Sequence, residues 1–214
     1  GPQAQNVLIA LAKQTDWNEE VWKQVTGLLK SKDLDVRNQA RDAVLANPGF
    51  EARRPEVLPR LLKSMDPSIR TAGAQLLGTG SWSPQVWRLA DGMIKDPNQY
   101  VVSAIAEGMA KQTQFPMHIW SSLPDLLRRP ERYIHDPIGK TIGSVKVWHQ
   151  TFWDQVPALM EHEFAKEAIL LALEGQEKWP PEVWARMHLM MTDLESHVQY
   201  RALAAVKAQK KTED

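Results

Sequence analysis

The sequence predicts an all-α fold built as a stack of antiparallel helix pairs, and three observations lead there. A Trp-bearing phrase returns along the chain at Val21-Trp22, Val57-Leu58, Val86-Trp87, Ile119-Trp120, Phe152-Trp153 and Val183-Trp184, with spacings of 36, 29, 33, 33 and 31 residues. From each anchor, apolar residues recur at offsets 0, 1, 4, 7 and 8, as in Val86, Trp87, Ala90, Met93 and Ile94. That is one apolar stripe on a helix, and a fixed period of this size is the mark of a repeat architecture. Only the second copy slips, with Ser64 at offset 7. No segment sustains two-residue alternation, so no sheet is expected.

Five residues before each anchor Trp, or the Leu58 in its place, stands a second bulky group: Trp17, Trp82, Phe115, Trp148 and Trp179, with Arg53 in the odd copy. All nine tryptophans fall in these two columns. Positions five apart lie on different faces of a helix, but the N′ and N4 positions at a helix start pack together as a hydrophobic staple. Asn18 and Ser83 then stand as N-caps, and Pro55, Pro84 and Pro181 as first helical residues. The tryptophans are expected to pack inside and between repeats. A competing expectation has the outer column of Trp17, Trp82, Trp148 and Trp179 lining one edge, partly exposed, as a ladder for a peptide.

The elements follow in order. Residues 3–14 read as a half repeat, a second helix without its first. Repeats follow at about 17–47, 53–79, 82–113, 115–147, 148–176 and 179–210. Their second helices are expected to start at Asp33, Asp66-Pro67, Asp96-Pro97, Asp136-Pro137 and Asp193, each an N-cap. These helices carry small and β-branched residues at helical spacing, such as Val36, Ala40 and Val44. Between Leu127 and Asp136, "RRPERYIH" (128–135) reads as a turn about seven residues longer than its counterparts.

"DLDVRNQA" (33–40) and "DPSIRTAG" (66–73) resemble the D-x-x-V-R-x-x-A opening of the second helix of HEAT repeats. "DPNQYVVSA" (96–104) lacks the Arg, and "DLESHVQYRA" (193–202) has Gln199 after its Val. The resemblance implies a right-handed α-solenoid of about six and a half repeats, acting as a protein-binding scaffold. It implies no particular partner, and neither catalytic chemistry nor a cofactor is expected of this chain. Gly1-Pro2 reads as the scar of a cleaved tag, and the apolar Val7, Leu8 and Leu11 supply no polar cap, so the chain is expected to be a piece of a longer protein.

Composition narrows the function. Lys and Arg number 26 against 26 acidic residues, which leaves no global field toward nucleic acid or anionic lipid. The absence of cysteine excludes disulfides, thiolate zinc sites and a Cys nucleophile. No apolar run reaches the roughly 20 residues that span a bilayer, so no membrane insertion is expected. The compartment is unknown from sequence, with the cytoplasm favoured.

Catalytic motifs fail on inspection. "GKT" (139–141) ends like a phosphate loop, but its earlier Gly would fall at Ile134, and Gly139 reads instead as a close-packing residue. "EHEFA" (161–165) would need a His at Lys166 to bind zinc. His118, His135, His149, His162, His188 and His197 stand singly. HEAT-fold hydroxylases use several His-Glu pairs, and only His162-Glu163 matches.

The expected partner is another protein, or another domain of a parent chain, and the apolar N-terminal end is a candidate for self-association. Candidate contacts are Arg41 on the ridge of second helices, then Arg128, Arg129, Arg132, Tyr133 and His135 in the long turn, with Trp82, Trp148 and Trp179 if the outer column is open. Arg37 and Arg70 are expected to serve an internal polar ladder with Asp33 and Asp66. Residues 128–147 hold five basic against two acidic residues, and 161–175 one against four, which suits attraction between neighbouring repeats. The alternative is a HEAT-like nucleic-acid-binding protein or alkylpurine DNA glycosylase. The second helices carry no basic stripe for it: residues 33–46 hold Arg37 and Arg41 against Asp33, Asp35 and Asp42.

Overall fold

The anchor phrases fold into first helices and the small-residue segments into second helices in the computed structural model, which describes residues 2–77 and 80–210. Every regular element among them is helical. The last two positions of the 53–79 repeat, 78 and 79, lie outside the described residues, as does Gly1. The chain divides into two compact units, residues 1–78 and 79–214.

Unit 1 holds α1 (Pro2–Ala12), α2 (Glu19–Leu28), α3 (Leu34–Ala46), α4 (Phe50–Leu62) and α5 (Pro67–Gln75). The pairs α2/α3 and α4/α5 form hairpins, and α1, α3 and α5 pack in sequence as the second-helix layer. Asp33 caps α3 through the N–H groups of Asp35 and Val36, and Asp66 caps α5 through Ser68. Arg37 and Arg70 each reach back six residues to donate to a turn carbonyl, Ser31 at 3.0 Å and Ser64 at 2.9 Å. On α1, Leu8 is buried while Val7 and Ile9 are exposed.

Unit 2 holds α6 (Pro84–Ile94), α7 (Gln99–Met109), α8 (Met117–Leu127), α9 (Arg132–Ser144), α10 (Gln150–Trp153), α11 (Val156–Glu161), α12 (Lys166–Glu174), α13 (Pro181–Met190) and α14 (Ser196–Lys210). One layer runs α6, α8, α10, α11, α13, and the other runs α7, α9, α12, α14. Asp91 of α6 takes hydrogen bonds from Lys95 and from Ser122 of α8. Partial burial works to raise its carboxyl, but the bonds from Lys95 and Ser122 outweigh that and hold it below the usual range.

The staple register holds at every aromatic pair. Trp17 meets Trp22 at 4.6 Å, Trp82 meets Trp87 at 4.8 Å, Phe115 meets Trp120 at 5.2 Å, Trp148 meets Trp153 at 4.5 Å and Trp179 meets Trp184 at 4.5 Å. The outer column has a second task. The indole N–H groups of Trp17, Trp148 and Trp179 donate to the carbonyls of Leu11, Ile142 and Leu173, six residues back, in the last turns of α1, α9 and α12. A helix leaves its last four carbonyls without an internal partner. Each of these rings therefore closes one helix and clamps the start of the next.

Several expected helix starts move. Pro55 lies inside α4, which begins one turn earlier at the buried Phe50, where the Phe50 N–H bonds the Asn47 carbonyl. The cap of α7 is Asn98, which accepts from Tyr100 N–H, because Asp96 is engaged two residues earlier with Asn98 N–H. Helix α14 starts at Ser196, since Asp193 caps the Glu195 N–H instead. Helix α9 starts at Arg132 and carries Pro137 inside it, so Asp136 is no cap. The 128–135 segment is accordingly no insertion: Glu131 sits four residues before His135, as Asp33 and Asp66 sit before Arg37 and Arg70. The Asp-Pro pair that suggested the later start is tolerated one turn inside the helix. The stripe of Phe152, Trp153, Val156, Leu159 and Met160, expected on one helix, is split between α10 and α11, where Pro157 lacks the N–H that would bond the Trp153 carbonyl.

Buried glutamines join successive turns of unit 2. Gln112 donates to the Gly80 carbonyl and accepts from Trp82 N–H. Gln176 donates to the Val145 carbonyl at 2.9 Å, and Gln209 donates to the Gln176 carbonyl. Gln176→Leu leaves the Val145 carbonyl without that donor, and should lower unfolding free energy by about 1–3 kcal/mol in urea titration.

Candidate functional site

Around the start of α9 the chain spends some polar groups on itself and turns others outward. Arg129 pairs with Glu131 at 2.7 Å and donates to the carbonyls of Asp96 and Pro97 ahead of α7. The Arg129 guanidinium holds the Glu131 carboxyl below its ordinary range. Arg128 reaches Asp125 and the Gln155 amide oxygen, both at 3.5 Å. His135, 7 % exposed, bonds through Nε2 to the Arg129 carbonyl at 2.7 Å, six residues back, as Arg37 and Arg70 do in their own turns. Arg128, Arg129 and His135 thus serve the turn.

Arg132 and Tyr133 point away from it. Tyr133 is 56 % exposed, and its ring meets that of Tyr100 on α7, 55 % exposed, edge-on at 5.2 Å. Arg132 lines a cleft of about 290 Å³ across α9, α12 and α14, together with Asp136, Phe164, Lys166, Glu195 and Arg201. Lys166 bridges to Glu195 at 2.6 Å, Arg201 to Asp136 at 3.0 Å, and His197 lies 2.8 Å from Glu167. The hydrogen bond with Glu195 raises the Lys166 ammonium and, from the other side, lowers the Glu195 carboxyl. A depressed carboxylate keeps its partner above its unfolded value, so the bridge persists until pH falls through the lowered one. With Glu163 and Glu167, the cleft presents three fixed cations against four carboxylates.

The remaining expected contacts are placed elsewhere. Arg41 on α3 is half-buried, bonded to Asn38, Asp42 and Gln75. The exposed edge ladder is not formed: Trp82, Trp148 and Trp179 are 7, 4 and 7 % exposed, Trp148 and Trp179 enclosed between the helix each closes and the helix each clamps, and Trp82 packed on Trp87 and close against Gly108 of α7. Trp17 is buried likewise.

Tyr100, Lys166, Glu195 and Arg201 were not singled out in the sequence. Tyr100 alone carried a signal, standing one period before Tyr133. The charged residues are far apart in sequence and meet only because α9, α12 and α14 stack.

Among the described residues no group of three or more His, Asp or Glu is placed to hold a metal ion, and no helix is long and apolar enough to cross a membrane. His162 accepts from Phe164 N–H.

No family model matches the sequence, and no curated protein matches it. Among solved structures, the chain is similar to the E. coli protein YibA, with a TM-score of 0.56 at 12 % identity over 97 % of this chain and 76 % of that one. It is similar to an engineered protein at a TM-score of 0.50 and 12 % identity, over 91 % of this chain and 100 % of that one. A designed armadillo repeat protein in complex with the peptide (KR)4 gives a TM-score of 0.50 at 14 % identity, over 87 % and 98 % of the two chains. Such identities speak for the fold alone, an all-α helical-repeat solenoid.

Proposed function

We propose that the chain is a HEAT-type repeat protein that works without covalent chemistry, as a scaffold holding an extended segment of a partner protein against the second helices of unit 2. The HEAT reading is supported by Arg37 and Arg70, which follow the D-x-x-V/I pattern and make the same reach to the turn before their helices. The binding reading is carried by one observation: the Tyr100–Tyr133 pair stays more than half exposed in a protein that buries the rings of its outer tryptophan column. Exposed aromatic rings with neighbouring charges have the character of binding hot spots. Arg132, next to Tyr133, continues the surface into the mixed-charge cleft. The balance of charge there suits a polypeptide with both signs, where a nucleic acid would need a run of cations. The designed armadillo protein holding (KR)4 is in keeping with this at the level of fold.

Selection from a displayed library of extended peptides tests the proposal. Tyr100→Ala with Tyr133→Ala should weaken the selected peptides by about 10–30-fold while thermal stability stays within a degree or two, because neither ring is part of the core. Undiminished binding by the double variant would remove the proposal. Salt-steep binding to duplex DNA at physiological ionic strength would turn the reading toward nucleic acid.

A further inference from the structure

The first helices of unit 2 close on one another through aromatic rings: Trp87 lies 5.6 Å from Phe115, and Trp120 lies 6.4 Å from Trp148. In unit 1 the matching place is held by Arg53, whose guanidinium sits 5.0 Å over the Trp22 ring and pairs with Glu19. A charged head on a long stem does not draw two helices together as a ring does. Between α2 and α4 there is an open cleft of about 410 Å³.

Its apolar floor is the half-buried Val57 above the buried Trp22 and Leu61, and it is wide at the exposed Gly27, where a Cβ would meet no atom within 4 Å. Most charges on the rim are already matched: Arg53 with Glu19, and Arg60 with Glu56 at 3.4 Å. Glu20 accepts a hydrogen bond from Gln24. Lys23 on α2 and Lys30, two residues past its end, are both exposed, line the same cleft, and have no carboxylate partner among the described residues. They stand seven residues apart, across the last turn of α2 and the turn that follows it, in which the Lys30 N–H bonds the Gly27 carbonyl.

We propose that this cleft takes an acidic amphipathic helix of a partner protein. Apolar side chains of the incoming helix lie over Val57 and the bare backbone at Gly27, and two carboxylates seven residues apart reach Lys23 and Lys30. A helix laid in a groove is matched by its apolar stripe and fixed by charges at the lips. The occupant supplies the apolar contact that Arg53 does not, and the spacing of the lysines sets its register. This surface belongs to unit 1 alone and does not depend on the peptide-binding reading of unit 2.

The probe is a labelled helical peptide of twelve residues with Glu at positions i and i+7 and Leu at i+3 and i+4, alongside a twin with Lys in place of both Glu. Fluorescence anisotropy should show saturable binding of the acidic peptide, with the basic twin weaker by roughly ten-fold or more. Raising salt from about 0.05 to 0.5 M should weaken the acidic peptide, since lip charges are exposed. Gly27→Leu fills the cleft from a helix position with open space around it, and should abolish binding with the fold intact by circular dichroism. Lys23→Glu with Lys30→Glu should reverse the preference between the two peptides. Equal binding of the twins, no saturation with either, or unchanged binding by the Gly27→Leu protein would each overturn the proposal.

Discussion

Trp148→Ala lowers the unfolding free energy by about 3–5 kcal/mol, the range of large aromatic deletions from a packed core. The ring is 4 % exposed and meets Trp153 at 4.5 Å, Phe152 at 5.1 Å and Trp120 at 6.4 Å. A buried indole of this kind removes roughly 150–250 Å² from water. Its N–H also donates to the Ile142 carbonyl at 3.0 Å, so Ala leaves both a cavity and an unmet acceptor at the end of α9. Urea titration of the variant and wild-type chains measures the loss. Trp148→Phe separates the two contributions, since it keeps most of the ring and deletes only the donor, for about 1–2 kcal/mol. A loss below about 1 kcal/mol for Trp148→Ala would show that the outer column is not a structural clamp.

Gly139→Val is the second large effect, and here two principles disagree about sign. On helix propensity alone Val is slightly better than Gly, by a few tenths of a kcal/mol. Packing decides the other way. A Cβ at residue 139 would stand 2.7 Å from the Ala168 carbonyl oxygen and 3.3 Å from its carbonyl carbon and Cα, all backbone atoms of α12. Backbone in a helix cannot turn aside as a side chain does, so α9 and α12 must separate. The expected loss is about 2–3 kcal/mol. Gly92 is the control: it lies inside α6 with no atom within 4 Å of a Cβ, and Gly92→Ala should raise stability by about 0.5–1 kcal/mol. Thermal melts of the two proteins should therefore move in opposite directions. A neutral or stabilising Gly139→Val would contradict the close approach of α9 and α12.

The repeat, the pairing of its helices and the staple register were all legible in the sequence, because apolar spacing and N-cap chemistry are local properties. The errors came where local signals competed. At α9, Asp136-Pro137 imitates a helix start, and only the place of Glu131 relative to His135 shows that the helix is already one turn old. At α4, Pro55 imitates an N1 proline, while the buried Phe50 sets the true start. The exposure of a tryptophan column is a tertiary fact, decided by which carbonyls lie within reach of the indole N–H. The clefts are less legible still. Arg132, Lys166 and Arg201 come from three helices whose stacking brings them together, and the α2/α4 opening exists because one repeat carries Arg53 where others carry a ring.

Hydrogen exchange of the indole N–H groups, followed by nitrogen-15 NMR with each tryptophan assigned, tests the joint structure most directly. If the rings of Trp17, Trp148 and Trp179 hold the ends of α1, α9 and α12, the side-chain N–H of Trp148 and Trp179 exchanges only with opening of their junctions, far more slowly than a free indole, and that of Trp17, whose bond to the Leu11 carbonyl is only part-buried, is slowed to a smaller degree. Exchange of Trp148 and Trp179 at the rate of free indole would mean that those carbonyl bonds are not made, and the repeats would have to be held together by something else.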